Sequence, residues 1–300
     1  MPPAPRVLDL HHHVGTLPSE PQSPTEATEF ELESRLATMD RNSVDAAVVI
    51  PGHGYLRPEG VADTRRVNDA IAAYRDARPD RFPAALGIVE PLYGPAGLSE
   101  LSRMQDELGL VGVSVHARFQ GVATDGPLVL AVLERAGELG LVPFVHAVAE
   151  VADEALWRVH RLARALPDLP IVVLDCFSSF EQGSHAFTVA ELAPNLVFDT
   201  SLAYTVEPIV RFVRAFGAHR VVFGSDLYSH PLGYTRSRVL ADLREADLSA
   251  ADKAAILAGT AETLLGLSPP ARAPIPTPLP PNRPRSRPRP PTAPPRTTRP

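Results

Sequence analysis

Three consecutive histidines, His11-His12-His13, follow the apolar run at residues 6–10 and carry the plainest chemical potential in the chain. In an extended strand successive side chains point to opposite faces, so His11 and His13 share one face and His12 takes the other. Two imidazoles side by side form a claw for zinc or a neighbouring divalent ion, which catalytic sites hold with three protein ligands and a water. An artificial tag or a polar loop is the plain alternative, but this triplet is internal, short and preceded by a strand. His146 ends the run at 142–145, and Asp226 follows Val221-Val222-Phe223-Gly224-Ser225. Taken singly, His146 reads as a hydrogen-bonded core residue and Asp226 as a helix cap. Beside the His11–His13 pair both read as further ligands, because a carboxylate facing a cavity is costly without a cation or donors. The expectation is one divalent metal ion, taken as zinc, on His11, His13, His146 and Asp226.

Other side chains fall near the same place. His116 follows the fourth apolar run and is a catalytic candidate. Arg118, two residues on, has the planar fork that suits a substrate carboxylate, with a surface ion pair as its ordinary reading. His53, in Pro51-Gly52-His53-Gly54, and His230, after Asp226, are substrate-contact candidates on loops, against an unspecialised loop role.

Something must bring these residues together. Short runs rich in β-branched and aliphatic residues recur at 6–10, 46–50, 82–88, 111–115, 142–145, 171–174, 196–198 and 221–223. Amphipathic stretches at 26–42, 61–77, 127–139 and 151–166 lie between them, and a last helix at 249–265 opens on Ser249 as its cap. Such alternation is the mark of parallel βα units. Periodicity alone admits a doubly wound open sheet as well as a barrel. The polar residues choose: six of the 10 histidines sit at one predicted end of the strands, where a barrel enzyme assembles its active site. The expected fold is a single-domain α/β protein, a (β/α)8 TIM barrel over residues 1–267.

Composition narrows the function classes. No apolar run approaches the roughly 20 residues that a membrane span needs, and the N-terminus lacks the basic and apolar regions of a secretory signal. A single cysteine forms no internal disulfide, so a reducing, cytoplasmic setting is expected. Residues 268–300 carry seven arginines and no acid; without them the formal charge goes from −6 to −13. So acidic a body is a poor partner for nucleic acid. The Pro/Arg-rich tail has little to bury and is expected to stay disordered, as a solvated extension rather than a docking segment. A small-molecule substrate is the expected partner, and a monomer and a homo-oligomer both fit.

At this point the chain resembles the amidohydrolase superfamily, and within it the amidohydrolase-related family of metal-dependent hydrolases and non-oxidative decarboxylases. The likeness rests on DLHHH at the first strand, VNDAIAAYRDARPDRF before the third, FVHA at the fifth, VVFGSDLYSHP at the eighth and ILAGTAETLLGL near the end. It implies a barrel, His11, His13 and His146 as ligands, and Asp226 as ligand, general base or both. Two departures matter. The carboxylated lysine of the binuclear branch is missing, since Val113-Ser114-Val115 stands there and the only lysine is Lys253, so one metal is expected. Where the family commonly has a histidine after the sixth strand, this chain reads Val173-Leu174-Asp175-Cys176. Cys176 is therefore a candidate catalytic thiolate or soft ligand, against a small buried hydrophobe, and His116 is a candidate replacement for the lost imidazole. Hydrolysis of a small amide, lactone or ester by a metal-activated water, with Asp226 moving the proton, is the first expectation. Non-oxidative decarboxylation of a small aromatic or vinylogous acid is the alternative, followed by a metal-free hydrolase and a catalytically silent binding barrel.

Overall fold

The computed structural model describes residues 5–14, 24–52, 59–148, 150–226 and 236–267, with the side chains of residues 24–28 and 30 excepted. His53, His230 and the tail at 268–300 lie outside the described residues.

Eight parallel strands form one sheet in sequential order: β1 Leu8–Val14, β2 Ala46–Pro51, β3 Ala84–Ile88, β4 Gly112–Val115, β5 Val142–His146, β6 Ile171–Leu174, β7 Leu196–Asp199 and β8 Val221–Val222. The first and last meet where Leu10 N–H donates to the Phe223 carbonyl and Asp226 N–H to the His11 carbonyl, both at 2.9 Å. The fold is the expected TIM barrel. Helices α1 Pro24–Asn42, α2 Val61–Ala77, α3 Pro95–Asp106, α4 Ala117–Gln120, α5 Pro127–Glu138, α6 Leu156–Ala165, α7 Phe180–Leu192 and α8 Glu207–Phe216 lie between strands, and α9 Arg238–Glu245 follows β8. The expected last helix is interrupted: α10 Ala250–Ala254 and α11 Thr260–Leu264 flank a π-helical stretch, Ala255–Gly259. Ser249 caps it as expected, accepting from Asp252 N–H. Among the described residues no helix is long and apolar enough to cross a membrane.

Alternation along the strands sorts the apolar residues into two layers. Leu8, Leu10, Val48, Ile50, Leu86, Phe144, Val172, Leu174 and Val222 fill the inside. Val49, Val113, Val115, Val145, Val173, Phe198 and Phe223 face the helices, against Leu101, Leu133, Val159 and Phe212. At two strand ends the alternation breaks, and both breaks shape the site.

The first break is in β1. Asp9 pairs with Ala47 but His12 with Val49, so three steps on β1 match two on β2. This is a β-bulge, in which one extra residue re-aims the chain. With Leu8 and Leu10 pointing inward, strict alternation would send His12 inward and its neighbours out; the bulge reverses this, and His11 and His13 turn to the interior.

The second break follows β6. Asp175 adopts the left-handed conformation, φ 65°, uncommon for a residue with a side chain. Val172 and Leu174 point inward, so regular continuation would turn Cys176 inward too. Instead Cys176 joins the helix-side layer, fully buried, and Asp175 reaches the centre.

Candidate metal centre

Three imidazole nitrogens converge at the C-terminal mouth of the barrel. Nε2 of His11 lies 3.0 Å from Nε2 of His13, which lies 3.3 Å from Nε2 of His146. All three residues are buried. Asp226 Oδ1 stands 3.6 Å from His11 Nε2 and 4.0 Å from His13 Nε2. The bulge aims the first two rings, the end of β5 supplies the third, and β8 continues its inward alternation from Val222 through Gly224 to Asp226.

What sits behind the rings decides their character. His13 Nδ1 faces the Pro51 carbonyl at 3.1 Å and His146 Nδ1 the Val115 carbonyl at 2.9 Å. His11 Nδ1 faces Asp199 Oδ2 at 2.8 Å and Ser201 Oγ at 3.0 Å. Carbonyl and carboxylate oxygens only accept, so each Nδ1 carries a proton, and in the neutral ring each Nε2 is left to turn a lone pair to the common point. Lone pairs do not gather at 3 Å for their own sake; a cation at that point turns their repulsion into coordination. Nitrogen donors backed by hydrogen-bonded outer partners are the usual construction of a transition-metal site. His11, Asp175 and Asp226 form a second converging group that shares His11 and Asp226 with the first. Burial disfavours a charged His11, but Asp226, Asp199 and Asp175 outweigh it and raise this group to about 10. Burial, with Asp226 and Asp199 nearby, pushes Asp175 up to about 8 against the pull of His11. Carboxyl groups this close to one imidazole also suit a divalent cation.

The family model for amidohydrolases matches residues 8–267, most of the chain and every residue of this centre. The chain belongs to the amidohydrolase family. A curated relative, the 2-amino-3-carboxymuconate-6-semialdehyde decarboxylase of Dictyostelium discoideum, is 25% identical over 283 aligned residues, spanning 78% of this amidohydrolase and 76% of the relative. Among solved structures, a dihydroxybenzoic acid decarboxylase from Polaromonas sp. JS666, with bound manganese and the inhibitor 2-nitroresorcinol, superposes with a TM-score of 0.67 at 15% identity, over 88% of this chain and 98% of that one. The 4-oxalomesaconate hydratase of Rhodopseudomonas palustris gives 0.69 at 17% identity, over 87% and 95%. These likenesses to solved structures are likenesses of fold, and family membership makes the chain an enzyme.

The remaining candidates of this amidohydrolase separate. His116 lies flat on the ligand-type ring of His146, centroids 4.0 Å apart and planes within 6°. Its Nδ1 faces Glu154 Oε1 at 2.5 Å, and that oxygen also accepts from Arg118 N–H at 2.9 Å. Burial holds His116 below the ordinary imidazole range despite Glu154. The Arg118 guanidinium is partly exposed, 4.8 Å over the Phe119 ring, with Nε 3.8 Å from Glu154 Oε2. Cys176 does not fill the place of the strand-six histidine. The turn at Asp175 carries its thiol into the apolar layer outside the barrel, where burial first, and Asp199 and Asp175 second, raise it well above the thiol range. It packs as a small buried hydrophobe.

Four supporting residues escaped the sequence reading. Asp199 ends β7 and Ser201 lies two residues on, in Phe198-Asp199-Thr200-Ser201, and the acid after an apolar run was a usable signal. Asp9 hides on β1: Oδ1 accepts from His11 N–H at 3.2 Å and Ser225 N–H at 2.9 Å, and Oδ2 faces His12 Nδ1 at 3.0 Å and binds the Ser225 hydroxyl. Glu154, in the short 3-10 turn Ala152–Glu154, lies 38 positions from His116 and left no local signal.

Proposed function

We propose that this amidohydrolase is a metal-dependent, non-oxidative decarboxylase of a small aromatic or vinylogous carboxylic acid. The observation that carries the proposal is the three-imidazole, one-carboxylate centre with the Glu154-held His116 stacked against it, in a chain whose curated relative is a decarboxylase. This reverses the order of the sequence reading, which put hydrolysis first; the relative favours carbon dioxide release, and nothing in the centre favours an amide, lactone or ester.

The residues divide the work. His11, His13, His146 and Asp226 would hold a divalent ion, zinc or manganese as in the related structure, which would supply an electrophile for a substrate oxygen and for the electrons left when the carboxylate departs. Asp226, beside that anchor, takes the proton of an acidic substrate hydroxyl. Arg118 offers its fork to the substrate carboxylate at the mouth. The bond from carbon to carboxylate breaks, its electron pair enters the conjugated system, and His116, having taken up a proton from water with Glu154 as its counter-charge, delivers the proton that ends on that carbon. Glu154 keeps the His116 ring oriented.

The test is direct. Protein loaded with manganese or with zinc is given hydroxybenzoates and unsaturated carboxy-semialdehydes, and carbon dioxide is measured without oxidant. Release is expected from the wild type. Asp226→Asn should keep the fold and lose at least about a hundredfold in turnover, and His11→Ala should also lose metal. Hydrolysis of amides, lactones or esters without carbon dioxide, or normal turnover in both variants, would overturn the proposal.

A further inference from the structure

We infer that Asp199, with Ser201 beside it, is a positioning residue that sets the tautomer of His11 and through it the metal affinity of the centre. The inference rests on the metal reading above and adds a residue to it.

Of the three converging rings, two are backed by main chain. Pro51 and Val115 present carbonyl oxygens that no side-chain substitution removes, so the fold itself fixes the tautomers of His13 and His146. At His11 the Nδ1 partners are side chains instead. Its Nδ1 proton goes to Asp199 Oδ2, and the same oxygen takes the Ser201 hydroxyl at 2.5 Å. Oδ1 accepts the Asp175 main-chain N–H at 2.9 Å. Both carboxylate oxygens therefore face donors, and the residue is wholly buried. The surroundings hold it in place: at Gly224 a Cβ would come within 2.7 Å of Asp199 Oδ2 and of His11 Cβ, so β8 leaves this pair no slack.

Asparagine has nearly the same shape and the wrong donor pattern. It offers one oxygen and one NH2, so either the Asp175 N–H or His11 Nδ1 must meet a donor. If the NH2 faces His11, the ring accepts at Nδ1 and carries its proton on Nε2, in the position where a ligand lone pair is needed. If it faces Asp175, the turn that brings that residue to the centre loses its anchor. Loss of an outer hydrogen-bond partner of a ligating histidine typically weakens metal binding about 10- to 100-fold.

The experiment compares full-length wild type with Asp199→Asn. Affinities for zinc and for manganese are measured by competition with a chromophoric chelator, and the Nδ1–H signal of His11 is read by nitrogen-15 NMR in the zinc-loaded protein. The expected result is a loss of about 10- to 100-fold in affinity for both ions, with the Nδ1–H signal of His11 weakened or shifted, while the thermal midpoint without metal changes little. Affinity within twofold of wild type overturns the inference. If Asp199→Asn does not fold, Ser201→Ala carries the test: a loss of about threefold or more supports the inference, and unchanged affinity overturns it. Failure of the wild type to bind either ion would instead sink the metal reading itself, so the two failures are distinguishable.

Discussion

Glu154 is wholly buried, and its Oε1 serves two donors, the His116 ring and the Arg118 main chain. Its charge is thus spent on the one imidazole that stacks against the centre without belonging to the converging set. Glutamine at this position can keep its carbonyl oxygen toward both donors, so the ring should stay where it is. What disappears is the negative charge that favours a protonated His116. If His116 delivers the proton to carbon, Glu154→Gln should lower kcat by about ten- to a hundredfold, leave KM within a few-fold, and leave metal content unchanged. Steady-state kinetics beside a metal assay checks this. A kcat equal to wild type would remove His116 from the proton step and leave it as a wall of the pocket.

At the scale of elements, the site depends on strands that stop alternating. Residues Asp175, Leu202 and Asp226, just beyond β6, β7 and β8, all take left-handed backbone, with φ of 65°, 52° and 50°; such strain gathers where a structure holds side chains for function. Gly224 marks how tightly the ends are fitted. Neither the β1 residue His11 nor the doubly bonded Asp199 Oδ2 can retreat from a methyl group there. Gly224→Ala should therefore cost about 1–3 kcal/mol of stability and deplete the bound metal, read by thermal melting and elemental analysis; a stable, fully loaded variant would show the contact to be soft. The same features set what the sequence could reveal. Eight apolar runs were legible because buried strands must be apolar, and α2 coincides with its predicted span, Val61–Ala77, because one stripe of that helix must face the sheet. Convergence of His11, His13, His146 and Asp226 was legible because each lies in or just beyond the C-terminal part of a strand. The bulge in β1 was not, since it depends on register with β2, and neither was the turn at Asp175, which exchanged an expected Cys176 for an acid. Glu154 was invisible for a related reason, since it works through a partner distant in the chain, while the acid that ends β7, Asp199, left a signal that was not used.

Across the whole molecule, negative charge is in excess, −13 without the 268–300 tail, and the stability of the barrel must respond to acid. The response is easiest to isolate at a clasp outside the converging set. Asp125, in the segment between α4 and α5, holds two arginines of α6: Oδ1 binds the Arg158 guanidinium and Oδ2 accepts from Arg161 Nη1 at 2.9 Å. Partial burial pushes Asp125 up, but the hydrogen bonds from Arg158 and Arg161 prevail and set it below the usual carboxylate range. A carboxyl more acidic in the folded chain than in the unfolded one stabilises the fold while ionised. Its contribution is complete above the unfolded value near 4 and is lost as pH falls through the lower folded value. Arg161 is largely exposed, so solvent screening keeps the whole effect to about 1 kcal/mol or less. Urea unfolding of wild type and Asp125→Asn should therefore differ by a constant amount from pH 7 down to about 5, and the two curves should converge as pH drops below about 4. A gap that widens in acid would contradict the sign of the shift, and a gap absent at pH 7 would mean that the clasp, although formed, contributes nothing to the barrel.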